Sequence, residues 1–486
     1  MCFTKDAKIL QNLPWLGFLL LIVLSISFLL PVLPNDFWWY IRLGSDILIN
    51  GGIPTTDTYT STVFGQSVFY PMWLSGVVFY LLMKLGGISA VVLIRGLIIS
   101  LFYTLLWIIC IRKGIPGWLA TLLTLICALI GANNWAVRPQ IFVYPLFAWT
   151  LYLLPNPSKE QTSEEAVEPA KQRYSQYFLL LPIAILWANL HGSLILFFFL
   201  TIPYFLFQQR NRKFFFVLVL AFLVTFINPR GPLLWSDTFQ LLQSEGNHFS
   251  QEWKSPVNSG WQMNLFFVWF LAIIPLMVFS KKKLRLYEWI WFLGFSWMAI
   301  SGVRYVIWFL AILLIDTSHL LPGLMNLKSE KLVFQFPKMN IIFLAIMVLL
   351  PLSLLPGIRE KWWSAAPEAL ANTTPVEAAA WLKENGDLPG ELFNDYLFGS
   401  YLEYALPERP VWIDTRFHIF STQQWEDYLS ISNGEFGWEK KIAPFSIETF
   451  ILNPTSQKNL VAALDNSLEY CKVYHDQKAV IFTVCR

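Results

Sequence analysis

Eleven apolar runs, each long enough or nearly long enough to cross the hydrocarbon core of a bilayer, set the limits on this fold. They fall at about 13–34, 88–111, 116–133, 138–154, 177–190, 191–208, 214–228, 263–280, 286–302, 303–320 and 339–357. Backbone groups in lipid must find partners within the protein, so such runs are read as helices. Pro31, Pro182 and Pro275 are tolerated there because neighbouring helices satisfy the freed carbonyls. Of 486 residues only 14% are charged, where a soluble domain carries about 25%; that leaves too little polar material to coat a water-facing surface. Phe, Trp and Tyr make up 17%, in keeping with rings at the lipid–water boundary. A cytosolic enzyme, a disordered chain and a disulfide scaffold are excluded. The expected fold is mainly α: a polytopic transmembrane bundle of about eleven spans, up to about thirteen.

The net charge of +3 gives no nucleic-acid footprint. The positions of the charges orient the bundle, because short Lys/Arg-rich loops stay in the cytoplasm. The segments 208–213 and 281–285 are the clearest such loops, and Arg112, Lys113, Lys328, Lys331 and Lys338 then also fall inside. So does the polar segment 155–176, read as a disordered loop. The first run follows Lys5 and Lys8 and lacks a small-residue cleavage site, so it reads as a retained anchor. The N-terminus is expected inside and the tail after 357 outside, in a bacterial inner membrane. Counting 71–86 as a crossing would put Arg112 and Lys113 outside; a surface or re-entrant helix is preferred, with a short genuine span as the alternative. The expected division is 1–357, a membrane domain whose outer loop 35–87 carries surface helices, and 358–486, an extracytoplasmic domain.

On this topology Asp36, Arg42, Asp46, Asp57, Arg138, His191, Arg230 and Arg304 reach the outer surface, each at the end of an apolar run or in the loop beside it. Polar groups that persist beside lipid usually face a cavity or one another. A carboxylate can take a proton from a hydroxyl, and arginine forks bind phosphate oxygens. Each residue also has a plainer reading. Asp36 could cap a surface helix; Trp38 and Trp39 could be belt anchors instead of sugar-stacking rings. Arg138 and Arg304 could snorkel to headgroups. His191, in a polar kink between two apolar runs, is harder to explain by packing. Arg95, inside the second run, is expected to hydrogen-bond between helices.

The segments Asn35-Asp36-Phe37-Trp38-Trp39-Tyr40-Ile41-Arg42-Leu43-Gly44, Gly52-Ile53-Pro54-Thr55-Thr56-Asp57 and Trp73-Leu74-Ser75 resemble a large group of bacterial multi-pass proteins. That group looks like the C-type, lipid-linked-sugar glycosyltransferases, relatives of protein O-mannosyltransferases and aminoarabinose transferases. Arg138-Pro139-Gln140, Asn189-Leu190-His191-Gly192, Asn228-Pro229-Arg230-Gly231, Asn394-Asp395-Tyr396 and Ile413-Asp414-Thr415-Arg416 extend the likeness over nearly the whole chain. The resemblance implies an acidic base in the first outer loop, here Asp36, and a polyprenyl-phosphate sugar as donor. This chain departs from the pattern in three places. Asp36 lacks an adjacent acid, Tyr40 stands where a histidine is common, and Tyr70-Pro71-Met72-Trp73-Leu74 replaces a Pro-Pro-Leu stretch.

In the tail, strands at Glu391–Phe393, 410–413, 449–452, 470–474 and 479–484 alternate with helices at 374–384, 399–405, 423–429 and 458–464, which predicts a small α/β layer. Asp395, Asp414, Arg416 and His418 follow strands. The aspartates beside His418 would suit a divalent metal; an Asp–Arg pair fixing a loop is the other reading, and the cofactor stays open. Cys110 and Cys127 read as small hydrophobes. Cys471 and Cys485 fall three positions out of register in a hairpin turning at Asp476-Gln477, so no bridge is expected between them.

The reading drawn from these residues is an integral-membrane glycosyltransferase. Asp36 is its base, and Arg138, His191, Arg230 and Arg304, with Trp38, Trp39 and Arg42, bind substrate. Its partners would be the bilayer, a polyprenyl-phosphate-linked sugar and an acceptor the sequence does not name. The rival readings are a flippase for a lipid-linked glycan, which would be expected to show internal repeats and midplane polar groups, and a non-catalytic envelope scaffold.

Overall fold

A computed structural model describes residues 11–154, 176–325 and 337–485. Lys5 and Lys8, almost all of the 155–176 loop, and Lys328 and Lys331 lie outside the described residues. The structure is mainly helical with one four-stranded sheet, and it divides into two compact units. The first comprises Met1–Leu30, Val92–Trp235 and Glu252–Ala366; the second comprises Pro31–Val91, Ser236–Gln251 and Pro367–Arg486.

Among the described residues four helices are long and apolar enough to cross a membrane: Trp73–Arg112, Gly117–Asn134, Gly260–Phe279 and Val303–Leu324. Leu13–Leu29, Gln140–Leu153 and Leu180–Leu190 are apolar but shorter. Trp73–Arg112 is broken where the sequence separates 71–86 from 88–111. Gly86 leaves helical geometry and Gly87 takes φ +60°, a conformation open to glycine.

In the first unit, Val306–Leu324 is buried through most of its length and is apolar on every face from Val306 to Ile315, as a core helix must be. Trp308 packs against Tyr144 (5.1 Å between ring centroids), Phe147 (4.9 Å) and Trp187 (6.4 Å). Arg95 makes the interhelical hydrogen bonds expected of it. It donates to the carbonyls of Ser27 and Leu30, and buried Arg359 donates to Phe28 O at 2.8 Å. These carbonyls end the first helix and have no partner within it. In the turn after Gly260–Phe279, Lys283 Nζ donates to Met277 O and Val278 O (3.1 and 2.9 Å), placing a cation on the negative end of that helix.

In the second unit, β1 (Glu391–Asn394) pairs parallel with β2 (Ile447–Leu452). β4 (Val480–Val484) runs antiparallel between β2 and β3 (Tyr470–His475), giving the order β1-β2-β4-β3. Helices Val376–Glu384, Tyr396–Ala405, Thr422–Ser432 and Lys458–Asp465 complete the layer, with a further short helix at Trp438–Ile442. The core joins Phe393, Trp412, Trp425, Phe450 and Phe482 with Val63 from the early segment. Two expectations are corrected here.

Residues 410–413 are not a strand of this sheet. The Asn394 side chain takes the place of a ladder partner, accepting from Trp412 N (2.8 Å) and donating to Ile413 O (2.8 Å). Val411 exchanges backbone hydrogen bonds with Tyr59 O and Ser61 N instead.

Cys471 and Cys485 do form a disulfide, with Cα atoms 5.1 Å apart. The register slips between Lys472 and Tyr474, so Cys471 opposes Thr483 and Cys485 N bonds to Glu469 O. Two positions from Thr483, Cys485 is a diagonal neighbour on the same face.

Candidate functional site

Asp36 opens the helix Phe37–Asn50, but its side chain makes no cap hydrogen bond. The half-buried carboxylate instead accepts from Thr415 Oγ1 at 2.5 Å, and Ser400 Oγ lies 2.9 Å from the same hydroxyl. Because the Thr415 proton goes to Asp36, the Ser400 hydroxyl is the donor of the second bond. A hydroxyl chain thus fixes the orientation of Asp36. Gly399 lets this happen: a Cβ there would come within 2.9 Å of Asp414 Cα, so only glycine allows segment 413–416 to lie against helix Tyr396–Ala405.

Beside Thr415, Arg416 is buried among carboxylates. Its Nε and Nη2 meet Asp414 Oδ2 at 2.8 and 2.5 Å, and Nη1 meets Asp57 Oδ1 at 2.5 Å and Tyr70 OH at 3.0 Å. Nη2 also reaches Glu403 Oε1 at 3.4 Å. The guanidinium lies over the rings of Tyr59 (5.1 Å) and Trp39 (5.7 Å). Asp57 is held in turn by the amide and hydroxyl of Thr60.

Burial and the neighbouring Asp414 raise Glu403 well above the usual carboxylate range. Burial would also raise Asp414, but Arg416 outweighs it and holds Asp414 low. Glu403 Oε2 is buried with no hydrogen-bond partner among the described residues.

Of the two readings of the tail residues, these contacts favour the loop-fixing pair. Asp414 is clamped by Arg416, whereas Asp395 caps Tyr396–Ala405 by accepting from Leu397 N (2.8 Å) and Ser456 Oγ (2.8 Å). The aspartates therefore do not fit a metal pair, and among the described residues no three His, Cys, Asp or Glu gather as a metal site. Burial and Arg416 lower His418 to about 4, leaving it neutral.

Both indoles of the early segment are buried. Trp38 packs against Tyr401 and Tyr404 (4.8 and 5.0 Å) and donates to Leu33 O; Trp39 packs on Tyr40. They serve as core rings of this unit and not as belt anchors. Arg42 pairs with Asp46 at 3.1 Å.

The first unit gathers a separate polar group. Arg138 forms an ion pair with Glu252, a residue the sequence reading did not single out. Burial would raise Glu252, but Arg138 and Arg304 hold it below its ordinary range. Arg304 stacks over Trp253 at 4.6 Å and also acts on His191. Burial, reinforced by Arg304, drops His191 to about 3. Its Nδ1 accepts from Ser193 N (3.0 Å), so the neutral ring carries its proton on Nε2. Arg138, His191 and Arg304, far apart in sequence, therefore share one electrostatic neighbourhood. Arg230 lies exposed in the turn after Asn228, whose side chain accepts from its amide (2.7 Å). Glu252 gave no signal in advance, since it sits 114 positions from Arg138 in an unpatterned loop.

A bundle of apolar helices joined to a small sheet-containing unit is the architecture of the C-type, lipid-linked-sugar glycosyltransferases, and this chain has that fold. It is similar to the apo oligosaccharyltransferase of Archaeoglobus fulgidus, with TM-score 0.59 at 12% identity over 90% of this chain and 69% of that one. A second structure of the archaeal enzyme, in complex with an inhibitory peptide and a dolichol-phosphate, gives TM-score 0.51 at 11% identity over the same shares. The mycobacterial arabinofuranosyltransferase AftD matches with TM-score 0.54 at 12% identity, over 97% of this chain and 40% of that one. ArnT from Cupriavidus metallidurans, in the apo state, matches with TM-score 0.50 at 13% identity over 95% and 96%. No family model and no curated protein sequence matches the chain.

Proposed function

We propose that this chain is an integral-membrane glycosyltransferase that moves a sugar from a polyprenyl-phosphate donor to an acceptor hydroxyl at the outer membrane face. The observation that carries the reading is the fold, shared over at least nine-tenths of the chain with an oligosaccharyltransferase, an arabinofuranosyltransferase and ArnT. The Cys471–Cys485 bridge supports an extracytoplasmic tail, since disulfides persist in oxidising compartments.

Asp36 is the base. It takes the acceptor proton as the hydroxyl oxygen attacks the anomeric carbon; the carbon–phosphate oxygen bond breaks and polyprenyl phosphate leaves. A single displacement inverts the sugar carbon. Arg304, Arg138 and the Nε2–H of His191 stabilise the departing phosphate by charge and hydrogen bonding. Thr415 supports the role of Asp36 by fixing its carboxylate.

The test uses membranes containing the full chain, radiolabelled polyprenyl-phosphate hexose and pentose donors, and chromatographic separation of products. Asp36→Asn is expected to lower transfer by about 10²–10⁴-fold, the usual contribution of a general base. Undiminished transfer by that variant would remove Asp36 from the chemistry.

A further inference from the structure

Helix Arg212–Val224 begins with two cations and continues as an apolar helix. A cavity of about 250 Å³ opens beside its first turns, lined by Tyr177, Phe178, Arg212, Lys213, Phe216 and Val217. Its walls are almost wholly apolar, and Phe178 and Phe216 stay about half exposed (47% and 55%). Arg212 has no carboxylate partner among the described residues. Arg210, two residues earlier, donates to Leu206 O.

We propose that this cavity binds an anionic phospholipid, its phosphate against Arg212 and Lys213 and the start of an acyl chain along Phe178, Phe216 and Val217. The inference rests on reading the chain as membrane-spanning. Charge complementarity selects an anionic headgroup, because basic residues at a membrane surface attract anionic lipid. The apolar wall selects a lipid over a free anion, which would leave that surface without use. Cations above an apolar slot match the division of a phospholipid into head and tail.

The experiment is native mass spectrometry of the full chain in mild detergent with equal amounts of palmitoyl-oleoyl phosphatidylglycerol and phosphatidylcholine. The first bound lipid is expected to be phosphatidylglycerol. Arg212→Gln and Lys213→Gln should each lower that preference by about five-fold, while the charge-conserving pair Arg212→Lys, Lys213→Arg retains it. Inorganic phosphate in excess should not displace the lipid. Equal retention of both lipids, an unchanged preference in the Gln variants, or displacement by phosphate would each overturn the proposal. Asp36→Asn should keep the lipid preference, so failure of the transferase reading and failure of this one are told apart.

Discussion

Removing the buried cation tests the account of the second unit most directly. In Arg416→Gln, Asp57 and Asp414 lose the guanidinium that compensates them, and both are fully buried. Breaking a buried ion pair from one side costs about 3–5 kcal/mol because the remaining charge is stranded. Here two carboxylates are stranded, and Tyr70 and Glu403 lose a donor as well. A domain's whole stability is roughly 5–15 kcal/mol. At about 2–4 °C per kcal/mol for a unit of this size, the melting temperature should fall by on the order of 10 °C. The assay is thermal unfolding of the detergent-solubilised full chain followed by tryptophan fluorescence, with hydrogen exchange of the β2 peptide as the local readout. Adding Asp57→Asn and Asp414→Asn should recover part of the loss, since stranded charge causes most of it. If Arg416→Gln melted within about 1 °C of the parent with β2 exchange unchanged, the cluster would not hold the unit together.

Glu403→Gln should keep or raise thermal stability at neutral pH. Burial disfavours the charged form of this acid, and a raised pKa disfavours folding as pH rises past the unfolded value; a loss above about 2 kcal/mol in a melting assay would contradict this. His418 acts in the opposite direction. Its folded pKa of about 4 lies below the ordinary 6.5, so its contribution is present above pH 6.5 and lost as the pH falls towards 4. The second unit should lose up to about 3 kcal/mol across that window, and His418→Gln should flatten the slope of melting temperature against pH. Reducing Cys471–Cys485, which closes a loop of 14 residues, should cost about 3 kcal/mol. The check is a lower denaturation midpoint after thiol treatment, with no change in a Cys471→Ser, Cys485→Ser variant.

Hydropathy made the helices legible, because a lipid solvent leaves little choice for a long apolar run. Tail strands and helices could be read from their periods to within a few residues. Pairing could not be read so simply. The bridge was missed because one register slip turned a three-position offset into a diagonal contact. The strand expected at 410–413 was lost to an asparagine side chain, which imitates a ladder partner without leaving any period in the sequence. Trp38 and Trp39 misled for a related reason: a tryptophan beside an apolar run looks alike whether it meets lipid or, as here, Tyr401, Tyr404 and Tyr40.

The charged residues were visible individually, but their order of importance depends on partners the sequence concealed. Arg138 and Arg304 looked equivalent as phosphate ligands, each at the end of an apolar run. Glu252 already compensates Arg138, whereas Arg304 meets the face of Trp253 and makes no ion pair among the described residues. A ring face attracts a cation without neutralising it. In the proposed reaction an incoming phosphate therefore meets at Arg304 a cation that Glu252 acts on only at longer range, and at Arg138 one held in a direct ion pair with Glu252. His191, neutral with its proton on Nε2, adds one hydrogen bond and no charge. The departing phosphate would thus lean on Arg304 first, and Glu252 sets that order by lying across from Arg138.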